Sequence, residues 1–369
     1  MIKSVIIKSI KGEESEKRSM ILPIKLQQEF RGQFIYGLPL CILQSRPELS
    51  SWVMTHYLRC VTFFNESGMT HMEFDDGVSY NNVRLCSDPF DMMFYSDSML
   101  SRRDPIALIM EMLYEGYYSV VFLDTYYLED VNSVKQKFPT HEMHRVHEIL
   151  IYGTNDRGFM YVNMDEVTHK FTEYTLSYEN LRQGIEAGMQ LELADSVKWI
   201  RLGRIVFLKV KSVVRELELS ESNCLACIDM YRRGWINPEL LRFCLPDTQK
   251  YYSGPENGLF LANTLRCDKN DDRSPYPTFH AWYESKLMIM NRLHQYRDMF
   301  KGEFWEEFEN RYQAVLVKTV LAQKLRVKYI ASRKEGLLLR IADLLEDVYQ
   351  LEIDCMSIMG DNNGKVIGL

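Results

Sequence analysis

The sequence predicts an α+β domain followed by a mainly helical one. Up to about residue 218 the apolar residues switch between helical and strand-like periods, and the strands predicted after residue 116 follow one another through short turns. Beyond residue 219 three long amphipathic segments dominate. Because 369 residues correspond to about two domains, we expect an α+β domain over 1–218 and a helical domain over 219–369.

The first well-signalled element is a helix over about 48–67. Pro47 suits a first helical turn, Ser45 is a possible cap, and Glu48 is favourable near the positive end of the helix dipole. Gly68 is then the expected stop.

A second helix, 106–115, is predicted between Asp104-Pro105 and Gly116. Antiparallel strands should follow, with a hairpin loop at 154–158 and a helix that begins after Ser177. The segment 199–218 fits either a strand or a helix. The predicted strands are 117–123, 147–153, 159–164 and 171–176.

The C-terminal portion should be an antiparallel helical bundle, because only short breaks separate its amphipathic segments. These predicted helices are 278–300, 303–327 and 334–356.

Composition and charge restrict the classes of partner. A hydrophobic share of 46% with 26% charged residues is globular, and a net charge of −7 argues against nucleic acid or an anionic membrane as partner. We expect no membrane span, because no run approaches the roughly 20 apolar residues that one needs. Eight cysteines without a secretory signal predict free thiols in the cytoplasm.

Local motifs give little support to metal or nucleotide chemistry. His141, His144 and His147 are spaced by three, which misses the zincin spacing, and Cys224 and Cys227 form a lone C-x-x-C in a helical segment. Glycine-rich phosphate loops and the Gly-x-Ser-x-Gly elbow are not found. We therefore expect neither a metal nor a bound cofactor.

The order of elements along the chain is more informative than any of these local motifs. An early helix is followed by a strand that begins at His147 and by a return strand that ends near Asn163 and Asp165. Thiol proteases of the papain type need this order: a thiol on a helix, a histidine base on a strand, and an amide or carboxylate that orients the imidazole. Antiparallel pairing about the 154–158 loop would bring either Asn163 or Asp165 near His147.

The segments 124–128, 147–153 and 160–165 resemble the butirosin biosynthesis protein H N-terminal family. That family has a papain-like fold, an antiparallel sheet packed on an N-terminal helix, and is related to bacteriocin-processing cysteine peptidases. The resemblance covers about residues 40–190. Relatives occur among nonribosomal peptide and polyketide assembly lines, where some are acyltransferases or amide synthases.

The resemblance implies roles for individual residues. It implies that His147 is the catalytic histidine and Asp165 its orienting acid, with Asn163 as the alternative. Four residues beside the cleft are candidates for binding substrate: Asp124, Tyr126, Tyr127 and His144.

The nucleophile is where this sequence departs from the family pattern. Residues 48–52, where the helix begins, contain no cysteine. Cys60 is the preferred candidate on the predicted helix, Cys41 and Cys86 are alternatives in predicted loops, and a site without a nucleophile is the remaining possibility.

The implied activity is transfer of an acyl group from a carrier-protein thioester to a small-molecule amine, in natural-product biosynthesis. The acyl donor would be held on a phosphopantetheine arm of an acyl- or peptidyl-carrier protein, so no cofactor of the chain's own is needed. Basic residues that could dock an acidic carrier are Arg201, Arg204, Lys209, Lys211 and Arg215. The alternatives are an inactive papain-fold protein that binds a carrier domain or intermediate, and a true peptidase.

Overall fold

The computed structural model describes most of the chain as two compact units. Unit 1 consists of residues 1–23 and 93–209, and unit 2 of residues 24–92 and 210–369. The residues that the structure describes are 19–64, 68–74, 76–77, 89–128, 144–165, 168–195, 203–212, 219–238, 250–267 and 276–366.

Unit 1 is built around a six-stranded sheet with the strand order β3-β8-β4-β5-β6-β7. Strands β4 to β7 and the pair β4–β8 are antiparallel. The strands are β3 (Phe90–Tyr95), β4 (Tyr118–Asp124), β5 (Val146–Thr154), β6 (Phe159–Met164), β7 (Phe171–Leu176) and β8 (Ile205–Val210).

The centre of this sheet is apolar throughout. Every residue of β4 is buried, as expected for a strand with its Val120–Leu123 run covered on both faces. The short helix α3 (Asp97–Leu100) precedes α4 (Pro105–Tyr114), which begins at the cap Asp104, whose carboxylate accepts from the backbone N–H of Ile106. The predicted helix at 106–115 and the four predicted strands are thus confirmed.

Helix α5 (Tyr178–Asp195) lies unusually close to the end of β4. A Cβ atom at Gly184 would be 2.7 Å from Leu123 Cδ1, and one at Gly188 would be 3.1 Å from the backbone N of Asp124. Ser177 Oγ accepts from the N–H of Asn180, which confirms the predicted cap. The two glycines therefore allow the helix backbone to pack against the residues that end β4.

Unit 2 combines a small antiparallel sheet with long helices. Its sheet has the order β2-β1-β9, in which β1 (Cys60–Phe64) pairs with β2 (Thr70–Phe74) and β9 (Tyr252–Ser253). Its helices are α1 (Phe34–Leu43), α2 (Ser50–Thr55), α6 (Glu221–Arg232), α7 (Glu256–Cys267), α8 (Tyr276–Phe300), α9 (Glu303–Ser332) and α10 (Gly336–Val366). The helical character predicted for the C-terminal portion is confirmed.

A fully buried polar cluster joins four of these helices. Lys286 Nζ on α8 lies 2.8 Å from Glu352 Oε2 on α10. The hydroxyls of Tyr231 on α6 and Tyr312 on α9 donate to Glu352 Oε1 over 2.8 and 2.9 Å. The carboxylate is thus paired and hydrogen-bonded, which is what a buried charge requires.

The helix predicted over 48–67 is wrong in its second half. A 3-10 turn (Pro47–Leu49) leads into α2, which ends at Thr55, and Tyr57 then adopts a left-handed φ of 62°. Cys60 begins β1 and is not on a helix. The run Cys60–Phe64 contains β-branched and aromatic residues, and a partner in β2 favours it as a strand.

The division into units also differs from the expected boundary at residue 218. Residues 24–92 belong with the C-terminal helices, so the chain leaves unit 2 at residue 92 and returns to it at residue 210. The backbone N of Lys211 donates to the carbonyl of Pro89 over 3.0 Å, which holds the two crossing segments side by side within unit 2. In the part of the chain that the structure describes, no helix is both long and apolar enough to cross a membrane.

Candidate functional site

The site begins at the end of β4, with the buried carboxylate of Asp124. This side chain is 0% exposed, and Asp124 Oδ1 accepts from the backbone N–H of Tyr126 over 3.0 Å. That bond caps the 3-10 turn Thr125–Tyr127, which carries the chain away from the sheet. Asp124 is therefore fixed by the local backbone, with Oδ2 left for another donor.

That donor is His144. Its Nδ1 lies 2.7 Å from Asp124 Oδ2, while the imidazole itself is 43% exposed. The backbone N–H of Thr125 donates to the carbonyl of Arg145 over 2.9 Å, which extends the β4–β5 pairing by one step and holds His144 beside the strand end. A buried acid thus orients an imidazole that is accessible to solvent.

Aromatic rings complete this arrangement. The ring of Tyr126 stacks on the imidazole of His144, with 4.3 Å between the ring centroids and 17° between the planes. Tyr127 contacts Tyr126 edge-on at 5.4 Å. The four residues that the resemblance marked for substrate binding therefore lie together, with Tyr126 and Tyr127 on the turn that follows β4.

His147 lies on β5 opposite Leu123, one step along the sheet from Asp124. Its imidazole is 33% exposed, and Nδ1 accepts from the backbone N–H of Glu148 over 3.0 Å and lies 3.1 Å from Glu148 Oε2. Glu148 is a buried carboxylate that the sequence interpretation missed, although the His-Glu pair at the start of a strand was visible.

The two candidates for orienting His147 occupy different environments. Asn163 is buried on β6, opposite Thr172 of β7. Asp165 lies just beyond β6 and accepts from the N–H of Thr168 over 2.6 Å and from the hydroxyl of Tyr174 over 2.7 Å. These bonds stabilise the turn after β6, and the catalytic role of either residue remains a prediction.

The preferred nucleophile is not in the unit that contains these histidines. The six cysteines that the structure describes, at positions 41, 60, 224, 227, 267 and 355, all belong to unit 2, and the sequence of residues 1–23 and 93–209 contains no cysteine. Cys60 is buried on β1, and its carbonyl accepts from Asn257 Nδ2 over 2.9 Å. Cys86 lies outside the described residues. The candidate site within unit 1 therefore has no thiol of its own.

Burial also disfavours the thiolate form at several of these cysteines. It raises the pKa of Cys41 to about 12 and those of Cys224 and Cys355 to about 12 as well. The pKa of Cys227 is raised to about 11, mainly by burial and then by the negative charge of Asp76. These groups are thiols near neutral pH and are poor nucleophiles.

Part of the basic stretch is not available to a partner. Arg204 is 1% exposed and forms a two-pronged ion pair with Asp97, at 2.9 Å from Nε and 3.0 Å from Nη2. Lys209 lies 5.0 Å from the centre of the Tyr117 ring. Arg201 and Arg215 lie outside the described residues. Arg204 is thus a structural residue of unit 1 and not a docking cation.

Comparison with known proteins adds no assignment. No protein-family model matches the chain. No curated protein matches it either. Among the residues described, no group of three or more histidine, cysteine or acidic side chains is arranged to hold a metal ion.

Proposed function

We propose that the protein transfers an acyl group from a carrier-protein thioester to a small amine, and that His144 acts directly on the amine. The observation that carries this proposal is the 2.7 Å contact between His144 Nδ1 and the buried carboxylate of Asp124. When Nδ1–H donates to a carboxylate, the lone pair is on Nε2, which is the form needed for a general base.

The proposed reaction needs no thiol of the protein. The amine nitrogen attacks the thioester carbonyl carbon, a C–N bond forms, and the C–S bond breaks. His144 Nε2 takes the proton from the amine and returns it to the departing sulfur, which restores the neutral imidazole. The thioester is already activated, so neither ATP nor a metal is required.

The surroundings of His144 suit this role. The stacked ring of Tyr126 covers one face of the imidazole and restricts its rotation, while the remaining exposure leaves a route for substrate. We further propose that unit 1 is a papain-like domain that has lost its thiol, since its sheet holds the histidine-bearing strand while no cysteine belongs to it. His147 as the base, with Asp165 or Asn163, remains the prediction from the family resemblance.

The proposal is tested with an acyl-N-acetylcysteamine thioester and a primary amine, with amide formation followed by mass spectrometry. Removal of a general base costs about 10²–10⁴-fold, so His144→Gln should lose that much activity. His169→Asn is the matched control, because His169 is an exposed histidine of unit 1 on a left-handed turn that Asn tolerates. If His147→Gln lost activity while His144→Gln kept it, the result would instead favour His147 as the base, as the family resemblance implies.

Alkylation separates this mechanism from a thiolate mechanism. Cys267 is the exposed cysteine among those described, so iodoacetamide should modify it first and the buried ones slowly. We expect amide formation to survive alkylation and to be unchanged in Cys60→Ala. An acyl adduct on Cys60 in intact-mass spectra would contradict the proposal.

A second candidate is a binding protein that holds a carrier domain or intermediate without turnover. The raised pKa values of the buried thiols favour it over thiol catalysis. A carrier protein loaded with an acyl group would then bind with measurable affinity, and no amide would form with any amine tested.

A further inference from the structure

A cavity of about 350 Å³ lies entirely within unit 2, whereas the histidine site described above belongs to unit 1. It is lined by the segment 25–29, the end of α1, the turn before α2, α2 itself and the second half of α8. A cavity of this size is at the small end of the range for sites that bind small molecules.

Most of the charged side chains in its lining are cations. Lys25, Arg46 and Arg292 contribute three positive charges, and Glu29 contributes one negative charge. The cavity therefore has a net charge of +2 in a chain whose net charge is −7. A local excess of this sign attracts anions.

The buried guanidinium of Arg292 is incompletely paired. It is 1% exposed, and neither Nε nor Nη2 has a hydrogen-bond partner among the described residues. Its Nη1 donates to Gln295 Oε1 over 3.3 Å, and the nearest carboxylate, Glu29 Oε2, is 3.6 Å from Nη2, which is too long for a hydrogen bond. Glu29 Oε2 instead accepts from Gln44 Nε2 over 3.2 Å.

Arg46 adds a further donor of the same kind. Its Nε is buried and likewise lacks a hydrogen-bond partner within the described part of the chain. Buried donors without acceptors are costly, because each has given up water without compensation. Two guanidinium groups with free donors beside one cavity are thus suited to an acceptor that enters it.

The uncharged part of the wall combines polar side chains, Gln44, Ser50 and Gln295, with apolar ones, Leu43, Pro47, Val53 and Met54. A ligand that fills the cavity therefore combines an anionic group with a small apolar part.

We propose that this cavity binds the phosphate monoester group of a small molecule. A phosphate monoester carries a charge between about −1.5 and −2 at neutral pH, which matches the net charge of the lining better than a carboxylate does. Its oxygens can accept from several N–H groups at once, and the planar guanidinium fits them in pairs. Lys25 supplies an exposed cation at the mouth of the cavity.

The test is calorimetric titration of the full chain with inorganic phosphate, phenyl phosphate and benzoate at constant ionic strength. Phenyl phosphate should bind best, because it supplies both the dianion and an apolar part. Benzoate has the same ring with a single charge, and it should bind at least about tenfold more weakly. Stronger binding of benzoate than of phenyl phosphate would overturn the choice of phosphate.

Two variants locate the site. Arg46→Gln removes a half-buried donor at low risk to folding, and it should weaken phenyl phosphate binding by about tenfold or more. Arg340→Gln makes the same change at an exposed position outside the cavity and should leave binding unchanged. Arg292→Lys keeps the positive charge but removes the planar guanidinium, which can donate to two phosphate oxygens at once, so this change should also weaken binding.

Two results would overturn the proposal: no binding of either phosphate compound to the wild-type chain, or equal binding by the wild type and Arg46→Gln. Neither result bears on acyl transfer, since the readout is binding and the residues changed lie in unit 2, whereas His144 lies in unit 1.

Discussion

Asp124 has its place in the site because it is both the last residue of a buried strand and the cap of the turn that follows. One oxygen is bound to the backbone of Tyr126, so the other has a fixed direction, towards His144. A carboxylate at an exposed position would have no such constraint and would be surrounded by water. The same few atoms thus determine both the local backbone and the tautomer of the imidazole.

This arrangement predicts the effect of Asp124→Asn. The amide can still cap the turn, but its NH₂ group can donate to His144 Nδ1 and favour the wrong tautomer. We expect amide formation to fall by about 10²–10⁴-fold with little change in KM, and the pH profile of kcat to shift. A purely structural role for Asp124 would lower the melting temperature and leave the pH profile of the folded fraction as in the wild type.

A histidine in unit 2 should make stability depend on pH. Burial lowers the pKa of His56 from 6.5 to about 4, and the ring stacks on Trp52 at 3.8 Å. The unfolded chain takes up a proton below pH 6.5 while the folded state does not, so stability falls as the pH decreases from 6.5 towards 4. We expect His56 to account for a loss of roughly 2 kcal/mol over this window.

Urea unfolding of the wild type and His56→Gln between pH 7 and pH 4.5 measures this contribution. The two proteins should converge in stability as the pH falls, since the variant lacks the group that titrates. A constant difference between them would show that His56 is protonated equally in both states.

At the scale of elements, periodicity predicted most of the sheet of unit 1. Strands β4 to β7 are short apolar or alternating runs bounded by turn residues, and such patterns are set locally. Strand β1 was mistaken for helix because its identity depends on β2 and β9, and the partner Ser253 is about 190 residues away. Likewise, His144 and Asp124 could each be singled out, but their contact is a property of the paired strands.

The hairpin loop between β5 and β6 offers a test at this scale. Gly158 has a φ of 152°, and a Cβ atom there would lie 2.1 Å from the carbonyl oxygen of Leu176. Gly158→Ala should therefore destabilise the protein by about 2 kcal/mol or more. Thermal unfolding should show no comparable loss for Gly336→Ala, where a Cβ would meet none of the described atoms within 4 Å. Equal melting temperatures for the two variants would contradict this account.

At the scale of the whole molecule, the buried pair Lys286–Glu352 should matter more than any surface pair. Lys286→Met leaves the Glu352 carboxylate buried without its counter-ion, which typically costs 3–5 kcal/mol. The double change Lys286→Met/Glu352→Gln should recover much of that loss, because no unpaired charge remains. The free energies come from urea unfolding.

The matched control is Lys318→Met, which breaks an exposed pair with Asp347. That pair has an N–O distance of 2.6 Å but is open to solvent, so its loss should cost less than about 1 kcal/mol. If Lys286→Met lowered the free energy of unfolding as little as Lys318→Met does, Glu352 would have to become protonated or solvated at a small cost in free energy.

The hydrogen bond between Lys211 and Pro89 has a practical consequence. Because the outgoing and returning segments of the chain are neighbours there, residues 93–209 form a long insertion into unit 2 between two segments that lie side by side. Such an insertion can be excised and the gap closed with a few glycines, as in domain-insertion engineering. The helical unit, as residues 24–92 joined to 210–369, could then be produced for ligand screening, whereas a simple truncation at residue 218 would discard β1 and β2 of its small sheet.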